Sequence, residues 1–396
     1  MQRIGTTILV LTMMSICLSS FGPQAYAGPA TSKPPAVIDT FSPATRTRLD
    51  RIVSEARNRY HIPGVALFVS VPGEGVWEGA YGHADLKTGQ PLSLEAHLPI
   101  GSVTKTFTAT VILQLVQQGL LALSAPISRW VPQVQDADQI TVRMLLNMTS
   151  GIYDEYQSGS QLLNELTAHP HRTIRPEEVV RMAVAHGPVD PPGTPGYSST
   201  NYVILGIIAR DITQKTIGTL ITSQVLLPLH LDQTTYSTSS ELPSPSALDY
   251  IVSDPSAEAV PLYDLSNLGA AGGMVSTVSD MAVWAQALGN GRLLSPSLEA
   301  ERLQFGSKLG NLYPLPTPKG SGPSLPVRYG LGLFSLGGLI GHNGEVKGYV
   351  CDVAYSPSHH ATIVVFANGD NPTAIPQETA ADAITVSIAD VVLQNR

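Results

Sequence analysis

The chain has 396 residues, 43% of them hydrophobic and 14% charged, with 35 glycines and 31 prolines. That is the composition of a globular protein with a sizeable core and many turns, and it excludes a disordered chain. A formal net charge of −8, with no cluster of Lys and Arg to neutralise phosphates, excludes nucleic acid as the main partner.

In chain order, the first segment places Arg3 before a mostly apolar run, Ile4–Leu18, and ends on Ala25-Tyr26-Ala27. A short positive region, an apolar run and a small-x-small site make residues 1–27 a signal peptide by layout. An uncleaved anchor is the other reading, although the run is shorter than the roughly 20 residues a span needs. The expectation is an exported protein, periplasmic or secreted in a bacterium, with no membrane span in the mature chain. Cys17 leaves with the signal, so Cys351 stands alone as a buried, small apolar residue. Without an internal disulfide, stability must come from the core.

Residues 28–43, rich in Pro, Ala, Ser and Thr, form a flexible lead-in to a domain over 44–394. The spacing of Leu49, Ile52 and Val53 predicts a helix over Thr45–Tyr60, and "GVALFVSVP" with "VWEGAYG" predicts a hairpin. Val103, Phe107, Val111 and Leu115 recur at four-residue steps, giving a helix over 102–118 stopped at Gly119. The stretch 120–267 is mainly helical, most clearly in "RPEEVVRMAVAH" and "NYVILGIIARDIT". Pro-rich stretches at 243–245 and 314–326 are surface loops. "YGLGLFSLGG", "GYVCDVAYS" and "ATIVVFANG" read as strands, with "PSHH" as a turn, and Ile384, Ile388, Val391 and Val392 mark a last helix. No internal repeats occur. Strands at both chain ends with helices between predict an α/β (α+β) fold of two regions. An antiparallel sheet flanked by helices would be built from 44–119 and 268–394, and 120–267 would be a helical insertion.

Within "GSVTKTF", Ser102 and Lys105 share a helix face at the first turn. A serine hydroxyl is a poor nucleophile until a base takes its proton. A lysine does this, or tunes another base, when burial or nearby positive charge lowers its pKa. The helix N-terminus adds a positive dipole and free backbone N–H groups. Taken alone the pair reads equally well as a helix-capping serine beside a solvent-reaching lysine.

Further stretches bear on that choice. "PGYSSTNYVILG" puts Tyr197 in a loop before a helix, and "IGHNGEVKGYV" puts His342 and Gly344 just before a strand. "LLNMTSGIYDEY" and "GAAGGMVSTVSDMAVWAQAL" fall between and around them. Together these resemble the serine β-lactamase and penicillin-binding protein superfamily. More narrowly they resemble the branch of class C β-lactamases, D-Ala-D-Ala carboxypeptidases, esterases and D-amino peptidases. The chain is most similar to the Streptomyces D-alanyl-D-alanine carboxypeptidase type. The resemblance spans about residues 45–394 and implies a β-lactamase/transpeptidase-like fold.

It further implies that Ser102 is the acylated nucleophile, Lys105 its helix partner and Tyr197 the hydroxyl that shuttles the proton. A phenol titrating near pH 10 is a weak base at neutral pH, and the Lys105 ammonium would lower that value. His342-Asn343-Gly344 matches the His-x-Gly form of the Lys-Thr-Gly motif, with Gly344 admitting the substrate backbone. The backbone N–H groups of Ser102 and Glu345 would form the oxyanion hole. Substrate-binding positions are His342, Asn343, Gly344, Ser199 and Phe334.

Three of these positions depart from the family pattern. Ser199 stands where Tyr-x-Asn carries its asparagine. Phe334 replaces the carboxypeptidase arginine, and Glu345 replaces a threonine beside the substrate carboxylate, which it would repel. No Gly-x-Ser-x-Gly elbow is present, which argues against an α/β-hydrolase. "HPH" (His169–His171) and His359-His360 have no partners at zinc-ligand spacing, so no metal and no cofactor are expected. The expected activity is acyl-enzyme hydrolysis of a small peptide, β-lactam or ester. D-Ala-D-Ala carboxypeptidase leads, an esterase or class C-like β-lactamase is the alternative, and a non-catalytic penicillin-recognising protein is the second. The oligomeric state is left open.

Overall fold

The computed structural model describes residues 40–253, 256–309, 326–371 and 379–393. The signal peptide, most of the lead-in and all but the last residue of the 314–326 loop lie outside the described residues.

Helix α1 (Pro43–Tyr60) starts where Ser42 Oγ accepts the Thr45 N–H, with Pro43 at its first position, and stops at left-handed His61. Phe41 is already buried beside it, so order begins before the end of the lead-in expected from composition. The next elements are β1 (Gly64–Val71), β2 (Gly75–Asp85) and β3 (Gln90–Pro91). Helix α2 (Thr104–Gln117) follows a single 3-10 turn, Gly101–Val103. Within 120–267 lie helices at Pro176–His186 and α3 (Thr200–Thr213). That stretch also holds short strands at Tyr250–Ser253 and Ser256–Ala259 that periodicity did not reveal. Helix α4 (Val278–Gly289) precedes β4 (Ser307–Lys308), β5 (Arg328–Tyr329), β6 (Phe334–Leu336), β7 (Leu339–Val346), β8 (Tyr349–Ser356) and β9 (Ala361–Ala367); α5 (Ala380–Leu393) closes the domain.

The nine strands form one sheet in the order β3-β2-β1-β9-β8-β7-β6-β5-β4. Its paired neighbours are antiparallel, and the two chain ends meet where β1 pairs β9 from Val65↔Ala367 to Ser70↔Thr362. Each face buries a separate core. One packs against α1 and α5, where Leu49, Val53, Ile384 and Ile388 are fully buried, each contributing roughly 1.5–3 kcal/mol. The other packs against α4 and the helices that include α2 and α3.

Two expectations about strands are corrected. The run 329–338 is not one strand. Gly332, at φ +89°, breaks it into β5 and β6, and a Cβ there would collide with Ala109 on α2. His342 and Gly344 lie inside a strand, β7, rather than before one. The glycine-rich "GHNGEVKG" hid it because glycines carry little strand signal.

Candidate active site

Helix α2 is buried on nearly every side, an unusual setting for a polar sequence. Its threonines carry their own partners: Thr106 Oγ1 donates to Val103 O at 2.7 Å and Thr108 Oγ1 to Ala270 O at 2.7 Å. Thr104 Oγ1 accepts the Met274 N–H and Thr106 Oγ1 that of Trp284. Hydroxyls satisfied in this way allow the helix, and Lys105 with it, into the interior. Lys105 is only 1% exposed. Its Nζ donates to Ser102 Oγ at 2.8 Å and to Ala271 O at 2.9 Å. The tight turn before α2 brings positions 102 and 105 over one another. Burial pulls the Lys105 pKa down to about 7, with Asp154 acting in the opposite direction.

Tyr197 OH donates to the same Ser102 Oγ at 3.0 Å. Its loop is held by the 148–156 segment: Gly196 N–H bonds Met148 O and Ser199 N–H bonds Asp154 Oδ1. Ser150 Oγ bonds Asn201 Oδ1 at 2.6 Å. Asn201 is fully buried and structural, while Ser199 lines the cleft. The Lys105 Nζ also lies 5.1 Å from the centre of the Tyr197 ring.

The second wall is the edge of β7. Strand β6 pairs it only from Leu339 to Gly341, leaving His342–Val346 without that neighbour. A two-residue turn, Lys347-Gly348, joins β7 to β8, so Val346 and Tyr349 form a hydrogen-bonded pair. Glu345 opposite Val350 is then a non-hydrogen-bonded pair, and its N–H and C=O point away from β8. They meet the turn carrying Ser102, since a Cβ on Gly101 (φ +46°) would stand 2.6 Å from both Glu345 N and Glu345 O. Gly344 is needed for the same approach, because a Cβ there would lie 2.0 Å from Ile100 O.

Strand alternation sorts the rest of the motif. His342 points into the core, 2% exposed, with Nε2 2.8 Å from Tyr329 OH and Nδ1 2.6 Å from Asn343 O. Burial, then the nearby Lys105, hold its pKa down at about 3, so it is neutral. Phe334 packs its ring 5.2 Å from that of His342. Neither residue lines the cleft. Asn343 and Glu345 take the opposite face and do line it.

The cleft encloses about 620 Å³ and is bordered by Ser102, Lys105, Tyr197 and Ser199 on one side and by Asn343, Gly344 and Glu345 on the other. Three carboxylates that periodicity could not single out also border it: Asp154, Asp370 and Asp382. Asp154 Oδ1 accepts from Tyr156 and Ser199. Asp370 is placed by the short parallel pairing of Gly369–Asp370 with Tyr250–Ile251. Asp382 accepts from Thr379 and from Asn343 Nδ2. Enclosure, then Asp370 and Asp382, push the Glu345 carboxyl up to about 7, an effect softened by cleft water at its exposed side chain.

The remaining sequence candidates have ordinary roles. His359 Nδ1 meets the Ser356 and Ser358 hydroxyls, and His360 Nδ1 meets Tyr355 OH. Cys351 is buried, with its thiol 3.5 Å from Ile100 O. No described helix is long and apolar enough to cross a membrane.

Solved structures with this architecture include a D-stereospecific amidohydrolase from Streptomyces sp. It is 30% identical, has a TM-score of 0.69, and the match covers 82% of this chain and 93% of that one. A D-amino acid amidase from Ochrobactrum anthropi SV3, complexed with L-phenylalanine amide, is 25% identical. Its TM-score is 0.75, and the match covers 89% of this chain and 99% of that one. Protein flp of Staphylococcus aureus (strain N315) is 26% identical over 333 residues, 82% of this chain. The match spans 63% of flp, under two thirds of its length. The family model described as Beta-lactamase matches residues 49–386, and the chain belongs to that family of serine β-lactamase-fold hydrolases.

Proposed function

We propose that this protein is an exported serine amidohydrolase that cleaves small amides through an acyl-enzyme on Ser102. The observation that carries the reading is the convergence of Lys105 Nζ, at 2.8 Å, and Tyr197 OH, at 3.0 Å, on one serine oxygen. With its pKa near 7, Lys105 is partly unprotonated at neutral pH and is itself the base. This shifts the role expected from sequence, where an ammonium served to tune Tyr197.

Ser102 Oγ attacks the carbonyl carbon as its proton passes to Lys105 Nζ, while the carbonyl electrons move onto oxygen. The amides of Ser102 and Glu345 stabilise that oxyanion, an effect worth about 3–4 kcal/mol per donor. Tyr197 relays a proton to the departing amine, and the C–N bond breaks to leave the ester on Ser102. Water then attacks the ester, its proton returning by the same route, and the acid is released.

Support for an amide rather than a terminal D-Ala-D-Ala substrate comes from the missing cation. A terminal carboxylate needs a positive partner. Position 334 is a phenylalanine packed on a neutral histidine, and Lys347 Nζ is turned onto Pro261 O and the Tyr263 ring. The structural neighbours include a D-stereospecific amidohydrolase and a D-amino acid amidase, which agrees with this choice. The test is a kcat/KM panel of D- and L-amino acid amides, a diacyl-D-Ala-D-Ala peptide, nitrocefin and p-nitrophenyl esters. Amides should lead. A panel led by the peptide, nitrocefin or the esters overturns the amide assignment in favour of carboxypeptidase, β-lactamase or esterase.

A further inference from the structure

A second cavity lies behind the segment that holds Lys105. It encloses about 690 Å³, the size of a small-molecule site, and its apolar wall includes Val179, Val203, Ile207 and Ile217. The one-turn helix Gly269–Gly272 is the partition. Ala271 and Gly272 border the catalytic cleft, while Gly269 and Ala270 border the second cavity. Tyr156 borders both, its OH donating to Asn267 O at 2.9 Å. Exposed Thr219, Thr222, Ser223 and Thr238 rim the second cavity, so it has its own mouth to solvent.

Features of the wall point to an occupant and to its chemistry. Tyr236 and Ser266 border the cavity, and neither hydroxyl has a hydrogen-bond partner among the described residues. Hydroxyls taken from water without a partner are costly, and a ligand with a polar atom relieves that cost. The Tyr236 ring is held in place, since a Cβ on Gly218 would stand 2.7 Å from it. The helical run at the rim contains a single π-helical turn, Thr222–Leu226, a distortion frequent at functional sites. Arg210 is the only charged residue lining the cavity among the described residues, and it is paired with Glu177 and Asp211. The occupant therefore needs no charge: an apolar body with one or two polar atoms suffices.

We propose that this cavity is a second ligand site, for a neutral, largely apolar small molecule, and that its occupant tunes acylation at Ser102. The path between the sites is short. The occupant packs on Ala270, whose carbonyl accepts from Thr108 Oγ1 at 2.7 Å. The next carbonyl, Ala271 O, accepts from Lys105 Nζ at 2.9 Å and is one of the two acceptors that position it. A displacement at Ala270 thus reaches the proton affinity of Lys105. The effect on rate rests on the acyl-enzyme reading; the binding site does not.

The probe is N-phenyl-1-naphthylamine, a neutral aryl amine whose fluorescence rises in apolar surroundings. The full chain should bind it saturably. Thr222→Trp and Thr238→Trp place a large side chain at the exposed mouth without entering the core, and each should weaken binding by about tenfold or more at unchanged Tm. Gln157→Trp, which narrows the catalytic cleft instead, should leave binding as it is. At saturating probe, the rate of Ser102 labelling by a fluorophosphonate should change by about fivefold or more, the low end of couplings between sites, with a shifted pH midpoint. No saturable binding, unweakened binding in either rim variant, loss of binding in Gln157→Trp, or an unchanged labelling rate overturns the inference. Absence of labelling without the probe instead refutes the acyl-enzyme reading and the coupling with it, while the fluorescence titrations still decide the site.

Discussion

Lys105 Nζ, buried, and Ser102 Oγ, half-buried at the cleft, stand 2.8 Å apart across one helix turn, so the proposed base and nucleophile are already in contact before any substrate arrives. A flexible surface lysine would have to lose side-chain freedom to reach that geometry; this one is held by Ala271 O. Burial supplies the lowered pKa and the helix turn supplies the distance.

The first prediction concerns that proton. Below about pH 7 Lys105 is protonated and cannot accept from Ser102, so acylation should rise about tenfold per pH unit up to pH 7 and level off above it. Lys105→Arg keeps the charge but cannot give it up. It should lower acylation by about 10²–10⁴-fold, whereas a purely structural cation would be rescued by arginine. Stopped-flow acylation between pH 5 and 9 reads both effects.

Removing one oxygen tests the proton shuttle. Tyr197→Phe keeps the ring that packs near Lys105 and edge-on to Tyr329, so Tm should stay close to that of the native protein. Acylation should drop by about 10²-fold or more. A native rate in this variant removes Tyr197 from the mechanism.

Gly344 gives a test of the oxyanion wall. An added methyl would stand 2.0 Å from Ile100 O, so the turn carrying Ser102 must move away from β7. Gly344→Ala should lose about 1–3 kcal/mol of stability in denaturant titrations, together with most acylation. Retention of both would mean that the turn and the strand are not coupled.

Asp249 connects the acidic region to stability. Its Oδ1 accepts the Gly348 N–H, its Oδ2 is buried without a partner among the described residues, and burial pushes its pKa up to about 7. The unfolded chain releases this proton near pH 4 and the native one near pH 7, so the native state binds more protons in between. Stability is therefore lost as pH rises from about 4 to 7, and Asp370, raised to about 6, acts in the same direction. Lys105 has the opposite sign, but only between about pH 7 and 10.5. Asp249→Asn should flatten the fall in Tm between pH 5 and 7 measured by calorimetry. An unchanged slope contradicts the assignment.

The parts legible in the sequence were those written in local pattern. Leu49 and Val53 marked α1, the steps from Val103 to Leu115 marked α2, and apolar runs marked β1, β8 and β9. The Ser102, Lys105 and Tyr197 motifs were legible through resemblance, although no local signal announced that two segments 95 residues apart would share one oxygen. His342 was the instructive difference. One residue along a strand reverses the face, so the histidine turns into the core while Asn343 and Glu345 face the cleft. Asp370 and Asp382 carried no sequence signal, because they reach the cleft only through a short parallel pairing and through α5 packing on the sheet.

The most direct measurement is intact-protein and peptide mass spectrometry after exposure to a fluorophosphonate and, separately, to a penicillin. The account predicts one adduct per chain, on the peptide containing Ser102, lost in Ser102→Ala. No adduct with either reagent, or an adduct on another residue that persists in Ser102→Ala, would contradict it.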